Sequence, residues 1–332
     1  MYDGLASSDD LERFKTLMSM SQDLRADNEA CKQAVDWGVL GTLKILLRNG
    51  TEAERVLASW VLCDLSANIN CEVFLRHDLI KDLIHGVYDH SQLVQKNCLW
   101  TLGNAVSDGH RLCKQAFKEG LVLALEDSIS PDLSASINTV VSWILRNIVE
   151  CSKTGQEHSK ICSLLTTLVQ SRRDSVAVEA VTAWSMMSLH DIKAYGVAKM
   201  VSDYLESDDL IIRRYACSIM LQAVEGGHQP SDRHKMMIID NCCHEKKEIA
   251  TPSIKIIGTL ALWDPDLLSN TLLDNLDKSF DRYPAAVIKC LCSVAASPRG
   301  RMVVRNSAVV ARIRAVEDVQ ANELFNLLHR SE

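Results

Sequence analysis

QKNCLWTLGNAVSDG (95–109) is the stretch on which the fold turns. Its register recurs in ERVLASWVLCDLSAN (54–68), NTVVSWILRNIVECS (138–152) and EAVTAWSMMSLHD (179–191): a Trp inside a long apolar helix, then a small or polar residue four places on. The four Trp stand at 60, 100, 143 and 184, in steps of 40, 43 and 41 residues. The pattern continues with no Trp at the anchor position in RRYACSIMLQAVEGG (213–227), SIKIIGTLALWDPD (253–266) and AAVIKCLCSVAASP (285–298), anchored on Ile219, Ile257 and Lys289. Shorter apolar segments lie between, as in CKQAVDWG followed by VLGTLKILLRNG, and RLCKQAFKEG followed by LVLALEDSISP. Gly38 and Gly120 stand where a helix must stop and the chain turn left-handed. Ser91, Asp132 and Asp208 or Asp209 suit the N-caps of the long helices.

A period near 40 residues with a short, a medium and a long helix belongs to helical-repeat arrays of the HEAT and armadillo type. One such unit cannot bury its apolar face alone, so neighbours must stack into a continuous core. The expected fold is all-α: a right-handed α-solenoid of about seven three-helix repeats spanning 1–332. Within it, 1–30 is expected to be an N-terminal cap, 31–192 the Trp-bearing repeats, 193–300 degenerate repeats and 301–332 a C-terminal cap. Composition agrees, since aromatics are 5% and there are only 14 Gly and 6 Pro in 332 residues, too few for a β-sandwich or barrel. No apolar run reaches a membrane span, and the acidic MYDGLASSDDLERF is no signal peptide. Twelve Cys without a secretory signal suggest a reducing compartment and buried thiols, hence the cytoplasm, the nucleus or both. The net charge of −7 argues against a nucleic-acid binder. All of that imbalance sits in 1–150, which carry 21 acids and 14 bases; 151–332 carry 22 of each.

LWTLGN within 99–104, with the following SDG, resembles the third helix of an armadillo repeat of the importin-α family, and SWILRN (142–147) resembles the next. The shared motif is W-x-x-x-N. The resemblance implies a concave groove that binds extended basic segments of nuclear-localisation type through Trp100, Asn104, Asp108, Trp143 and Asn147. The N-terminus, with Asp3, Asp9 and Asp10, lacks the family's basic importin-β-binding segment, so coupling to importin-β through it is not expected. Ile219, Ile257 and Lys289 replace Trp in the second half, so a second basic-peptide site is not expected there.

The residues themselves carry a chemical argument. Positions four apart share a helix face, giving rows Trp60–Asp64–Asn68, Trp100–Asn104–Asp108, Trp143–Asn147 and Trp184–Ser188. An Asn amide matches the N–H and C=O of an extended chain, Trp rings hold the stem and cation of Lys or Arg, and carboxylates meet the charged head. The function expected is a non-enzymatic scaffold or adaptor that takes a Lys/Arg-containing segment of a protein partner. The alternative is a structural or assembly subunit, with the Trp ladder buried in its own core or against a partner. Free amides on Asn104 and Asn147 would discriminate. A reader of acidic segments of β-catenin type is disfavoured by the negative first half.

No G-x-S-x-G, H-E-x-x-H or Gly-rich phosphate loop is present, so neither an enzyme nor a cofactor is expected. Cys242, Cys243 and His244, near His228 and His234, lack metal-ligand spacing, and no metal is expected. Arg301, Arg305, Arg312 and Arg314 form either a small patch for an acidic partner or part of a capping repeat.

Overall fold

The computed structural model describes residues 2–25, 27–129, 135–152, 156–171, 173–264, 267, 269–314 and 319–329. The chain is 81% helical and has no strand among these residues. It divides into two compact units, Met1–Ala183 and Trp184–Glu332. The first contains α1 (Asp10–Asp23), α2 (Asn28–Asp36), α3 (Val39–Asn49), α4 (Glu52–Asn68), α5 (Val73–Arg76) and α6 (Leu79–Gly86). There follow α7 (Gln92–Ser107), α8 (His110–Lys118), α9 (Leu121–Ser128), α10 (Ala135–Ile148), α11 (Gln156–Gln170) and most of α12 (Asp174–Ser185). The second unit contains α13 (Leu189–Ala194), α14 (Val197–Val201), α15 (Leu210–Glu225), α16 (Asp232–Asn241) and α17 (Lys247–Trp263). It ends with α18 (Asn270–Phe280), α19 (Pro284–Ala295), α20 (Pro298–Arg305), α21 (Ala308–Ile313) and α22 (Val319–His329).

In the units α2–α3–α4, α5–α6–α7 and α8–α9–α10 the short, medium and long helices follow the order the sequence predicts. In four repeats a left-handed residue turns the corner between the first two helices. Gly38 (φ 80°), Gly120 (φ 96°) and Gly196 (φ 64°) supply it at no steric cost, and Asp78 (φ 50°) stands there in the second repeat. Lys44 Nζ reaches back from α3 to the carbonyls of His77 (2.9 Å) and Asp78 (3.3 Å), tying that corner down.

The α20–α21 corner is made without one, at Asn306 (φ −90°) and Ser307 (φ −84°), and elsewhere the corner is lost. α11, α16 and α18 each run on as one helix, so α11–α12, α16–α17 and α18–α19 are two-helix units. The uniform count of three helices therefore holds only for α2–α10, α13–α15 and α20–α22. Ser91 and Asp209 take the N-cap positions of α7 and α15, and Asp209 alone of the two accepts from the helix amides. Asp132 lies outside the described residues.

Within the first unit α4 packs on α7 and α7 on α10; within the second α15 packs on α17, α17 on α19 and α19 on α22. Their shared faces are fully buried, with Val61, Leu62 and Leu65 on α4, Cys98, Leu99 and Leu102 on α7, and Val141, Ile144 and Leu145 on α10. Eight of the twelve free Cys are buried as small apolar groups. Polar rungs cross between repeats as well. Asn97 and Asn104, seven apart on α7, donate to Ser59 (3.1 Å) and Ser66 (2.9 Å), seven apart on α4. Ser142 donates to the Val176 carbonyl at 2.9 Å, and the buried Asp82 pairs with Lys44 and Arg48.

The arginines near the C-terminus are spent internally. Arg301 bonds the Ala295 and Ala296 carbonyls, Arg305 bonds that of Leu328, Arg312 pairs with Asp277 and Asp281, and Arg314 lies over Phe325. They hold α20–α22 to their neighbours, while Arg305 and Arg314 remain exposed.

Glu54 links the N-terminal helix to the first repeat. It completes a capping box with Thr51 and accepts from Arg13 Nε at 2.6 Å while nearly fully buried. Burial pushes its carboxyl up, but the Thr51 amide and Arg13 outweigh that and hold it below its usual value of 4.5. A depressed carboxyl contributes stability that is present above the usual value and is lost as pH falls below it. Glu54→Gln should therefore lower stability at neutral pH by about 1 kcal/mol, the worth of a helix cap, and flatten the loss of stability below pH 4.5. Denaturant melts of wild type and variant across the acid range check both outcomes.

Candidate functional site

On α4, α7 and α10 the residues left at least partly open form one stripe per helix, and the Trp lie on it: Trp60 is 40% exposed and Trp100 and Trp143 are half-buried. The helical period puts Asp64, Asn104 and Asn147 on the same stripes, one turn later, all half-buried. The first three rows thus share a face, but the chemistry differs from row to row.

In the first row a cation is already in place. The Arg25 guanidinium, from the turn between α1 and α2, lies 5.4 Å from the centroid of the Trp60 ring. One oxygen of Asp64, Oδ2, is buried with no hydrogen-bond partner. Burial pushes the Asp64 carboxyl above its usual 3.8, while the charge of Arg25 pulls it back. Asn68 is not a groove group, because its amide donates to the Asp64 carbonyl of its own helix at 2.7 Å.

In the second and third rows Trp100 and Trp143 touch, with centroids 5.0 Å apart and planes inclined by 43°. The Trp143 ring also lies over Gly103, where a Cβ would collide with its six-membered ring. The two rings therefore form one aromatic surface instead of two walls with a slot between them, which corrects the expectation of a stem-holding gap. Two carbon layers in van der Waals contact already span that centroid distance, so no alkyl chain fits between.

The two asparagines part company. Asn104 gives an amide hydrogen to Ser66, so it is a rung between repeats and not a free amide. Asn147 Nδ2 is buried and has no hydrogen-bond partner. Asp108 is not a carboxylate facing a ligand's charge, because its Oδ2 accepts the Cys71 amide at 2.7 Å and ties the end of α7 to the start of the same repeat.

The fourth row is not a binding row. Trp184 is 0% exposed, its ring 5.7 Å from that of Tyr195 and its indole N–H unpartnered. α12 ends at Ser185, so Ser188 is on no long helix; it caps α13, its Oγ accepting the Asp191 amide at 3.2 Å. An apolar surround drew this Trp into the core, the ordinary fate of an indole on a helix. The Cys242, Cys243 and His244 group, with His228 and His234, does not form a ligand set: Cys242 is buried, Cys243 donates to the Asp240 carbonyl and His244 accepts the Lys246 amide.

Arg25, Gly103 and the serines of α4 escaped the reading of the sequence. Gly103 carried a signal, since a Gly inside a helix costs stability and marks a close approach. Arg25 carried none, because it lies outside every repeated segment.

These roles set what alanine at the two asparagines should do. Asn104→Ala severs the bond to Ser66 and should cost about 0.5–1.5 kcal/mol of stability. Asn147→Ala removes a buried Nδ2 that has no hydrogen-bond partner and should cost less stability than Asn104→Ala. Thermal melts of the two single variants test the contrast; equal destabilisation would show that Asn147 is a rung as well.

No protein-family model and no curated protein matches the sequence. Solved structures do. An engineered protein superposes with a TM-score of 0.78 at 14% identity, over 100% of this chain and 88% of that one. A designed armadillo repeat protein in complex with peptide (KR)4 gives 0.61 at 19% identity, over 67% of this chain and 97% of that one. Another designed armadillo repeat protein gives 0.60 at 18%, over the same shares. At such identities the likeness speaks for the fold alone, and that fold is an α-solenoid of armadillo type.

Proposed function

We propose that this chain is a non-enzymatic armadillo scaffold, acting in the cytoplasm, the nucleus or both. It takes an extended Lys/Arg-containing segment of a protein partner, of nuclear-localisation type, along the open stripe of α4, α7 and α10. The observation that supports this reading is Arg25 on Trp60 beside Asp64: the first row already accepts a guanidinium, on an indole face with a buried carboxylate oxygen close to it. The joined surface of Trp100 and Trp143 then offers apolar area to the next side chains. The designed protein noted above is complexed with a peptide of the same sign. A second reading, a structural or assembly subunit without linear-peptide recognition, is favoured by one observation, the contact that closes the gap between Trp100 and Trp143.

The peptide (KR)4 is the probe, titrated by calorimetry at two salt concentrations. Trp60→Ala should weaken binding by about two- to fivefold, the worth of an exposed cation–π contact. Arg25→Ala, which vacates the row, should strengthen it. Asp64 gives a trade-off, since a raised carboxyl costs the folded state as pH rises through and above its usual 3.8. Asp64→Asn should therefore raise the melting temperature at neutral pH while weakening (KR)4. Binding of an acidic peptide in preference to (KR)4, or no response to Trp60→Ala, would leave the assembly reading standing.

A further inference from the structure

Away from the Trp stripe, a groove of about 460 Å³ runs between the second and third repeats, on the side of α5, α6 and α8. Its floor is apolar, with Phe74 and Ile80 essentially inaccessible. Its rim is cationic: Arg111, Lys114 and Lys118 stand at i, i+3 and i+7 on α8, so they share one face, and all three are exposed. Arg111 approaches Glu72 at 3.4 Å across open surface, a contact worth little in water. Lys114 and Lys118 have no ion-pair partner among the described residues. The one acid lining the groove, Asp78, is faced from behind by Lys44, its Oδ2 3.9 Å from Nζ. Three of the fourteen bases of residues 1–150 are thus gathered on one groove in the half of the chain that carries its whole negative excess.

We infer that this groove is a second interaction site, of opposite sign to the first, and that it takes an acidic peptide segment carrying an apolar anchor. Charge complementarity selects the sign of the occupant. The part-exposed Leu75 and the alkyl stems of Lys114 and Lys118 select a peptide with an apolar anchor over a bare anion, because phosphate or a polyanion leaves that apolar lining in water. Seven residues of helix rise about 10 Å, which an extended chain covers in about three residues. An acidic side chain at each end of such a stretch would meet Arg111 and Lys118, with the anchor between them over the floor. The face does not include the Trp stripe, so a scaffold built this way can hold a basic and an acidic segment at once.

A labelled peptide of alternating Glu and Leu is the probe, followed by fluorescence anisotropy with the full chain. Saturable binding should be lost by roughly tenfold in the double variant Lys114→Glu/Lys118→Glu, two charge reversals on an exposed rim. It should be unchanged in Trp60→Ala. Circular dichroism should show the fold intact, because both lysines are exposed. Phe74→Ala would disturb the core, so the anchor is tested on the peptide, where Leu replaced by Ser should weaken binding at constant charge. An oligonucleotide of equal charge binding as tightly as the peptide would overturn the proposal, as would indifference to the double charge reversal or to the Leu-to-Ser peptide.

Discussion

The long helices of this chain cannot exist alone. Val61, Leu62 and Leu65 on α4, and Cys98, Leu99 and Leu102 on α7, are fully buried, and the packing of long helix on long helix contributes most to the contacts of both helices. Fully burying a side chain of this size stabilises by about 1.5–3 kcal/mol, and the interface repeats that gain at every step. Everything else in the structure is an adjustment to this stacking. Left-handed corners at Gly38, Asp78, Gly120 and Gly196 let the short helices fold back out of the way. Paired serines on α4 and asparagines on α7 fix the register of one long helix on the other.

That stacking also limits what the open stripe can be. A residue on the stripe is one turn from the interface, so whether it faces a ligand or a neighbouring repeat depends on a few ångströms. Asn104 and Asn147 occupy the same motif position, yet one is spent on Ser66 and the other is unpaired. Ser66 is what differs, a hydroxyl delivered by the preceding repeat. Gly103 acts similarly on Trp143: with no Cβ in the way, the ring drops onto α7 and meets Trp100. A ladder of identical motifs therefore becomes rows with different chemistry.

Charge follows the same logic. The negative half of the chain is not a uniform field, because Asp82, Asp89 and Glu54 are consumed by Lys44, Arg48, Arg55 and Arg13 inside and between repeats. The acidic excess that remains is what an approaching segment meets, apart from the local cationic rim on α8. Net charge steers association, but recognition belongs to the few groups left without an internal partner.

The repeat was legible in the sequence because its cause is local and periodic. Apolar positions recur with the helical period, glycines stand at the corners, and the whole recurs at about 40 residues. The merging of α11, α16 and α18 into single helices was not legible there, since the second repeat turns its corner on Asp78 without a glycine. The shared face of Trp60, Trp100 and Trp143 followed from spacing alone. Which polar group is free did not, since it depends on partners supplied across the fold: Arg25 from outside the repeats on Trp60, Ser66 on Asn104, and the Cys71 amide on Asp108. The burial of Trp184 and the end of α12 at Ser185 likewise came from packing that no period of the chain records. Sequence determines the stacked helices because each repeat carries its own pattern; tertiary structure decides the site because hydrogen bonds and ring contacts are made between residues that the pattern never brings together.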